Sequence, residues 1–310
     1  MMNLKSLFLS IIAASQVYAN IDEFDPTKMK LSKLSLGYPF IDDGFHIKDW
    51  DYGGNAVVEA FAGVHLTTDL PSHKGWLWST RHLPNDSWIV DFDFKIGSLN
   101  KDRFFGDGLA FWATTERANA GPVFGSKNFF NGLGIFFDTY RNGNHNRPMP
   151  LVVGMKGDGK TSYDFSADGL GSSFASSDSL EYRQTEGPVK ARITYVKGKH
   201  LSVKLKKDSE FVECFSVNDF TLPENLYLGL SAVTGQLSDF HTITYIKTRN
   251  ITEEEAKQIL TPVPQFAAHS STSLNSNFWP TFIKLVIVCS IIGAALYAYK
   301  AYNKKKYRRL

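Results

Sequence analysis

The chain has 310 residues, of which 43% are hydrophobic and 21% charged, and a formal net charge of +3. This length allows one large β domain with appendages or two ordinary domains, and the composition is that of a globular chain with a membrane piece. Six basic residues, Lys300, Lys304, Lys305, Lys306, Arg308 and Arg309, crowd the end of the chain. Without them the rest is slightly acidic, so the charge is no argument for a nucleic-acid partner and none is expected.

Residues 1–19 read as a signal peptide. Lys5 supplies a positive start, Leu7 to Ala14 an apolar stretch, and Val17-Tyr18-Ala19 small residues ahead of a cleavage point before Asn20. The apolar stretch is too short to span a bilayer. Residues 20–250 then form the expected luminal domain, with short β-type runs from about Leu34 to Thr248. Runs at 55–66, 75–81, 108–114, 132–138 and 150–155 accompany an alternating segment from Trp88 to Ile96. In that segment Trp88, Val90, Phe92 and Phe94 share one face, and Asp91 and Asp93 lie on the other. Val189 to Val196 alternates likewise, and Leu201 to Leu205 returns after Gly198 as a hairpin. Phe211–Phe215, Leu226–Leu230 and Thr242–Ile246 complete the series. The runs Gly108 to Trp112 and Leu133 to Phe137 are apolar on both faces, which marks central strands covered on each side. About a dozen strands of this kind imply an all-β fold of two antiparallel sheets face to face.

After the strands, residues 251–277 read as a short helix capped by Thr252 and then a flexible Pro/Ser/Thr-rich stalk. Residues 278–299 are nearly all apolar and long enough to cross a membrane, with Lys284 near one end and Trp279, Tyr297 and Tyr299 as interfacial anchors. The basic tail, residues 300–310, marks the cytosolic side. The expectation is a single-pass type I membrane protein with its bulk in the lumen. Of the two cysteines, Cys289 falls in this span, which leaves Cys214 without a luminal partner in the chain; it is expected to be buried and inert, or paired with another chain. Asn85-Asp86-Ser87 and Asn250-Ile251-Thr252 fit the glycosylation triplet.

Three acidic loops carry the chemistry. Gly106-Asp107-Gly108 opens one strand, Asp138-Thr139-Tyr140-Arg141-Asn142 closes another, and Tyr163-Asp164-Phe165-Ser166-Ala167-Asp168-Gly169 follows a third. Carboxylates and an amide delivered by separate strand ends suit a hard cation held by oxygen ligands, Ca2+ in particular. A carboxylate beside amide donors also matches the vicinal hydroxyls of a sugar, and Phe136, Phe137 or Tyr140 offers an aromatic ring to stack on it. An enzyme on the same sandwich would need two carboxylates flanking a glycosidic bond. Asp91 and Asp93 alternate on the polar side of a half-buried strand, there is no Glu-x-Asp-x-x-Glu pattern, and the histidines lack ligand spacing, so no enzymatic activity is expected.

The motifs Gly106 to Trp112, Gly121-Pro122-Val123-Phe124-Gly125, Gly132 to Tyr140 and Thr234-Gly235-Gln236-Leu237-Ser238-Asp239 occur in order. Together they resemble the L-type, legume-lectin-like mannose-binding lectins of the early secretory pathway, a family of membrane cargo receptors of vesicles and of the ER–Golgi intermediate compartment. The resemblance covers about residues 34–248 and extends to the signal peptide, span and tail. It implies a concanavalin A-like jelly roll that binds high-mannose N-glycans of cargo glycoproteins with Ca2+, residing in the ER and Golgi membrane. By motif, Asp138, the Tyr140 carbonyl, Asn142 and Asp168 would hold the metal. Ser72, Asp107, Asn142, Gly235, Gln236 and Leu237 would hold the sugar. The tail resembles a signal that binds vesicle coat proteins without matching the strict dilysine form. Three departures stand out. Phe165 replaces a mannose-binding histidine, Gln236 replaces an aspartate of some members, and the lone Cys214 leaves the 170–180 loop without the disulfide that some members have. Phe165 is the ground for the alternative, a sugar-inactive scaffold or protein-binding cargo adaptor.

Overall fold

The computed structural model describes residues 30–99, 105–143, 145–207 and 209–261. The signal peptide, most of the stalk, the expected membrane span at 278–299 and the tail lie outside them. Among the described residues no helix is long and apolar enough to cross a membrane.

The described residues build two antiparallel sheets of seven strands each. The first sheet runs, in spatial order, β1 (Trp50–Gly54), β4 (Lys74–His82), β14 (Tyr227–Val233), β6 (Gly108–Thr114), β8 (Asn131–Asp138), β9 (Leu151–Asp158) and β10 (Ala175–Ser176). The second runs β13 (Glu210–Asn218), β12 (His200–Lys207), β11 (Val189–Val196), β5 (Trp88–Gly97), β15 (Phe240–Asn250), β3 (Gly63–Thr67) and β2 (Val57–Glu59). A further short strand, β7 (Ala120–Val123), stands in the loop after β6.

The alternation in β5 acts as expected. Phe92 and Phe94 are fully buried between the sheets, and Phe92 meets Phe111 at 5.8 Å and Phe137 at 5.7 Å between ring centroids. Burying each such ring is worth about 1.5–3 kcal/mol. On the opposite face Asp91 pairs with its cross-strand neighbour Arg192 at 2.7 Å, and Asp93 with Lys190 at 2.6 Å. Both carboxylates are therefore spent on sheet pairing.

Every residue of β6 is buried, because the outer face of the first sheet carries a second apolar layer. Trp78, Trp112 and Phe136 form it with Phe124, Phe130 and Tyr163 from the loops. The Trp112 indole donates to Ser231 Oγ at 2.8 Å, and that hydroxyl donates to the Phe124 carbonyl at 2.7 Å, which ties the covering loop to the sheet.

The strand expected over 55–66 is two strands, β2 and β3, joined by a turn at 60–62. Gly63 permits this, since its φ is +135° and a Cβ would fall 2.4 Å from the Ile243 carbonyl oxygen. β1 and β10 carry too little apolar pattern to be read in advance. Past β15, the helix α1 (Glu253–Leu260) opens with a reciprocal cap: the Glu255 amide donates to Thr252 Oγ1 and the Thr252 amide to Glu255 Oε2, each at 3.1 Å. Cys214 is buried, and burial pushes its thiol up to about 12, so it is inert at neutral pH. Asn85 lies on an exposed turn, whereas Asn250 is half-buried at the end of β15.

Candidate functional site

The register of the first sheet delivers the expected residues to one end of it. Gly108, at the start of β6, stands opposite Asp138 on β8 and opposite Val233 on β14. The loops carrying Asp107, Asp138 and Gly235 therefore emerge side by side. The Thr139 amide and hydroxyl both donate to the Asp107 carbonyl, at 2.9 and 3.0 Å, and the Asp107 amide donates to the Val233 carbonyl at 3.1 Å. The Gly106–Asp107 peptide is cis.

Ser72 precedes β4 in a left-handed conformation, φ 60°, and its amide donates to the Gly235 carbonyl at 2.8 Å. A Cβ on Gly235 would lie 3.4 Å from both carboxylate oxygens of Asp107. Ser72, Asp107 and Gly235 thus converge. Gln236 follows with an exposed side chain, and Leu237 is half-buried. Gly106 closes the other side, since a Cβ there would come 2.9 Å from Tyr140 Cβ.

The four residues expected around a metal also share one place. Asp138 and Asp168 are both 1% exposed. Asp138 accepts from the Tyr140 amide at 3.0 Å. Asp168 accepts from the Asn142 amide at 3.0 Å and the Gly143 amide at 3.1 Å. The Asn142 side-chain amide faces the Tyr140 carbonyl at 3.4 Å through Nδ2; turned by half a rotation it would present oxygen instead. Burial, then the neighbouring Asp168 carboxylate, raises Asp138 well above the usual carboxylate range, with Asp107 adding to the effect. Among the described residues no group of three or more His, Cys, Asp or Glu side chains is arranged to hold a metal. The donor set here has two carboxylates, a carbonyl and an amide, all oxygen, and among the described residues its buried carboxylates lack a basic partner of fixed charge. That chemistry fits a calcium ion.

Two features of the site carried no sequence signal. The first is His145, whose Nε2 lies 2.7 Å from Asp168 Oδ2. Its Nδ1 accepts from the Arg147 amide at 3.2 Å, so Nε2 bears the proton and donates. The second is the pair behind Asp107. Arg183 forks onto Asp239 through bonds of 2.7, 2.9 and 3.1 Å, with Asp239 fully buried and the guanidinium 3.7 Å above the Phe105 ring. Burial, then the charge of Asp239, raises Asp107 to about 6. The members of this pair lie 56 positions apart in the chain, so no local motif could announce it.

The expected aromatic platforms divide. Phe136 and Phe137 are fully buried, one in the outer layer and one between the sheets, and neither can stack on a ligand. Tyr140 is exposed and keeps that possibility. Phe165 is 46% exposed and stands edge-on to Tyr163 at 5.1 Å, where it offers an apolar surface and no hydrogen bond. The 170–180 loop is held by packing and polar contacts: Phe174 sits 4.9 Å from Phe220 and 5.8 Å from Phe215, and Arg147 bonds Ser176 Oγ at 2.6 Å.

Comparison with known proteins agrees with this fold. The legume-like lectin family matches residues 27–258. An L-type lectin-like domain-containing protein of Schizosaccharomyces pombe is 38% identical over 226 residues, covering 72% of each chain. The vesicular integral-membrane protein VIP36 of Mus musculus is 31% identical over 283 residues, covering 83% of this chain and 78% of its own. The exoplasmic/lumenal domain of VIP36, solved in a Ca2+/Man2-bound form, superposes with a TM-score of 0.68 at 31% identity, over 74% of this chain and 94% of that one.

Proposed function

The chain belongs to the legume-like lectin family, which places it among carbohydrate-binding proteins rather than enzymes, and from that premise we propose that it is a calcium-dependent lectin for high-mannose N-glycans. The observation that carries this reading is the meeting of two half-sites at one end of the first sheet. Asp138, the Tyr140 carbonyl, Asn142 and Asp168 would hold Ca2+. Ser72, Asp107, Asn142 and the Gly235–Leu237 loop would hold the sugar. Similar domains of VIP36 solved with Ca2+ and with Man2 or Man3GlcNAc support it.

When bound, calcium would neutralise the paired carboxylates and fix the loop from Tyr140 to Gly143. This chain's own groups do the recognition. The half-buried Asp107 carboxylate accepts from two vicinal hydroxyls, a charge-assisted contact stronger than a neutral one. The Asn142 amide and main-chain groups around Gly235 read the remaining hydroxyls. Because the Asp107 backbone is held at both its amide and its carbonyl, little ordering remains to oppose binding.

We place the protein as a single-pass type I cargo receptor of the ER and Golgi membrane, with residues 1–19 as signal peptide, 20–250 as luminal lectin domain, 251–277 as helix and stalk, 278–299 as span and 300–310 as a tail that engages vesicle coats. The kinship with VIP36 and with ERGIC-53 of Rattus norvegicus, 35% identical over 212 residues, supports this. A glycan array with and without chelator tests the lectin reading. High-mannose binding that disappears with chelator is expected. Binding that survives it refutes the calcium role, and no glycan binding at all favours the second reading, a protein-binding scaffold, for which Phe165 is the specific ground.

A further inference from the structure

The first sheet carries a second opening, at its β1 edge, that the site above leaves unused. An open cleft of about 600 Å³ is lined there by Asp49, Asp51, Trp76, Thr80 and the loop from Phe45. It lies on the outer face: Asp51 stands opposite Trp78, and Gly53 opposite Trp76, both tryptophans belonging to or packing on the outer apolar layer. The Trp76 indole lies across Gly53, where a Cβ would fall 2.3 Å from its Cζ2. Only glycine lets that ring lie flat over the edge strand.

The polar groups around it are already oriented. Asp51 is paired with Arg117, whose guanidinium sits 5.5 Å over the Tyr227 ring, and Asp49 is held by Arg81 at 3.3 Å. Each carboxylate retains accepting capacity beyond its arginine. Phe45, 83% exposed, stands on the rim. A flat ring flanked by fixed carboxylates suits a hexose, whose C–H face lies on the ring while its hydroxyls donate to the acids. An apolar peptide would leave those acids unmatched. Trp76 and Ser72 are four residues apart along the chain, so about 14 Å at most separates them. A branched oligosaccharide anchored at Ser72, Asp107 and Gly235 covers that distance.

We propose that this cleft is a second carbohydrate subsite, taking a further hexose of the oligosaccharide whose terminal mannose occupies the Asp107–Gly235 site. The inference rests on the lectin reading above. The test titrates the full chain, in a detergent without a sugar headgroup and with Ca2+, against α1,2-mannobiose and against Man9GlcNAc2. Trp76→Ala is expected to weaken Man9GlcNAc2 by about tenfold and to leave mannobiose unchanged. Thr80→Arg, which fills the cleft from its other end while the Thr80 amide keeps its bond to the Asp49 carbonyl, is expected to repeat that selective loss. Equal losses on both glycans, or no loss on either, would overturn the subsite while the lectin reading stands. Wild-type protein that binds neither glycan would overturn both.

Discussion

Replacing Asp138 with Asn separates the cost of the metal site from its benefit. Without metal, Asp138 is a buried carboxylate facing Asp168, with its ionisation pushed well up by burial and by that neighbour. Such a group opposes folding at neutral pH. Asn keeps the oxygen that accepts from the Tyr140 amide and removes the charge. The metal-free variant should therefore melt higher than metal-free wild type. With Ca2+ the order reverses. At free calcium one hundredfold above Kd, wild type gains about 2.7 kcal/mol by mass action. For a domain of this size that is a rise of roughly 5–10 °C in Tm. The variant, lacking a charged ligand, should gain little.

The pH dependence follows from the same sign. A carboxyl whose folded pKa is raised stabilises the fold below its unfolded pKa, and that contribution is lost as pH rises through the folded pKa. The advantage of metal-free D138N should thus shrink toward pH 4 and grow toward pH 8. The calcium-induced rise in wild type should likewise be larger at pH 7.5 than at pH 5, since binding must expel the proton. Thermal melts in chelator and in millimolar Ca2+ at the two pH values measure all four quantities. A metal-free variant less stable than metal-free wild type, or one that keeps the full calcium gain, would show that Asp138 is not a strained metal ligand.

Other consequences can be measured separately. Asp107→Asn should abolish mannose binding while leaving the calcium-induced rise in Tm, checked by calorimetric titration with each ligand. Without metal Asp107 is raised to about 6; with Ca2+ bound its carboxylate should stay ionised to lower pH, so mannose binding by the wild type should persist through pH 6 and weaken only on further acidification. Phe165→His restores a hydrogen-bonding group at an exposed position beside the metal loop, and should raise mannose affinity severalfold in the same titration. Arg183→Met leaves Asp239 buried without its cation, which should cost about 3–5 kcal/mol in denaturant melts. The double variant with Asp239→Leu should recover most of that loss.

Much of the fold was legible because its strands follow simple rules. Phe92 and Phe94 alternate with Asp91 and Asp93, and burial and cross-strand pairing sort them as the pattern says. The double-sided apolarity of Gly108 to Trp112 marked a covered central strand, and the cover exists. β1 leaves no such mark because Gly53 and Gly54 give no pattern, and the purpose of Gly53, to seat Trp76, lies twenty-odd residues away. Phe136 and Phe137 misled for a related reason: an aromatic run beside a binding loop does not say which faces are already taken. The loops announced by local motifs do converge at one end of the sheet, whereas Arg183 and His145 beside them had no such signal. Their roles depend on partners brought near only by folding.

The charges of the site argue for a cation more directly than any motif does. Asp107, Asp138, Asp168 and Asp239 gather at one end of the sheet. Burial raises three of them, and neighbouring carboxylates raise Asp107 and Asp138 further. Among the described residues one fixed positive charge, Arg183, is bound to this group, and it is committed to Asp239 in a forked pair. His145 meets Asp168 in its neutral form, through a donated proton. Among the described residues, the two carboxylates at the proposed metal position and the one at the proposed sugar position therefore have no balancing fixed charge. A single divalent ion beside Asp138 and Asp168 offsets both of these and lowers the cost of ionising Asp107 nearby. Calcium would thus do more than shape the loop: it would keep Asp107 ionised, the form in which that residue accepts two sugar hydroxyls. Sugar binding and calcium binding should accordingly be coupled even for an Asn142→Ala variant, in which the shared ligand is removed and the electrostatic link is left.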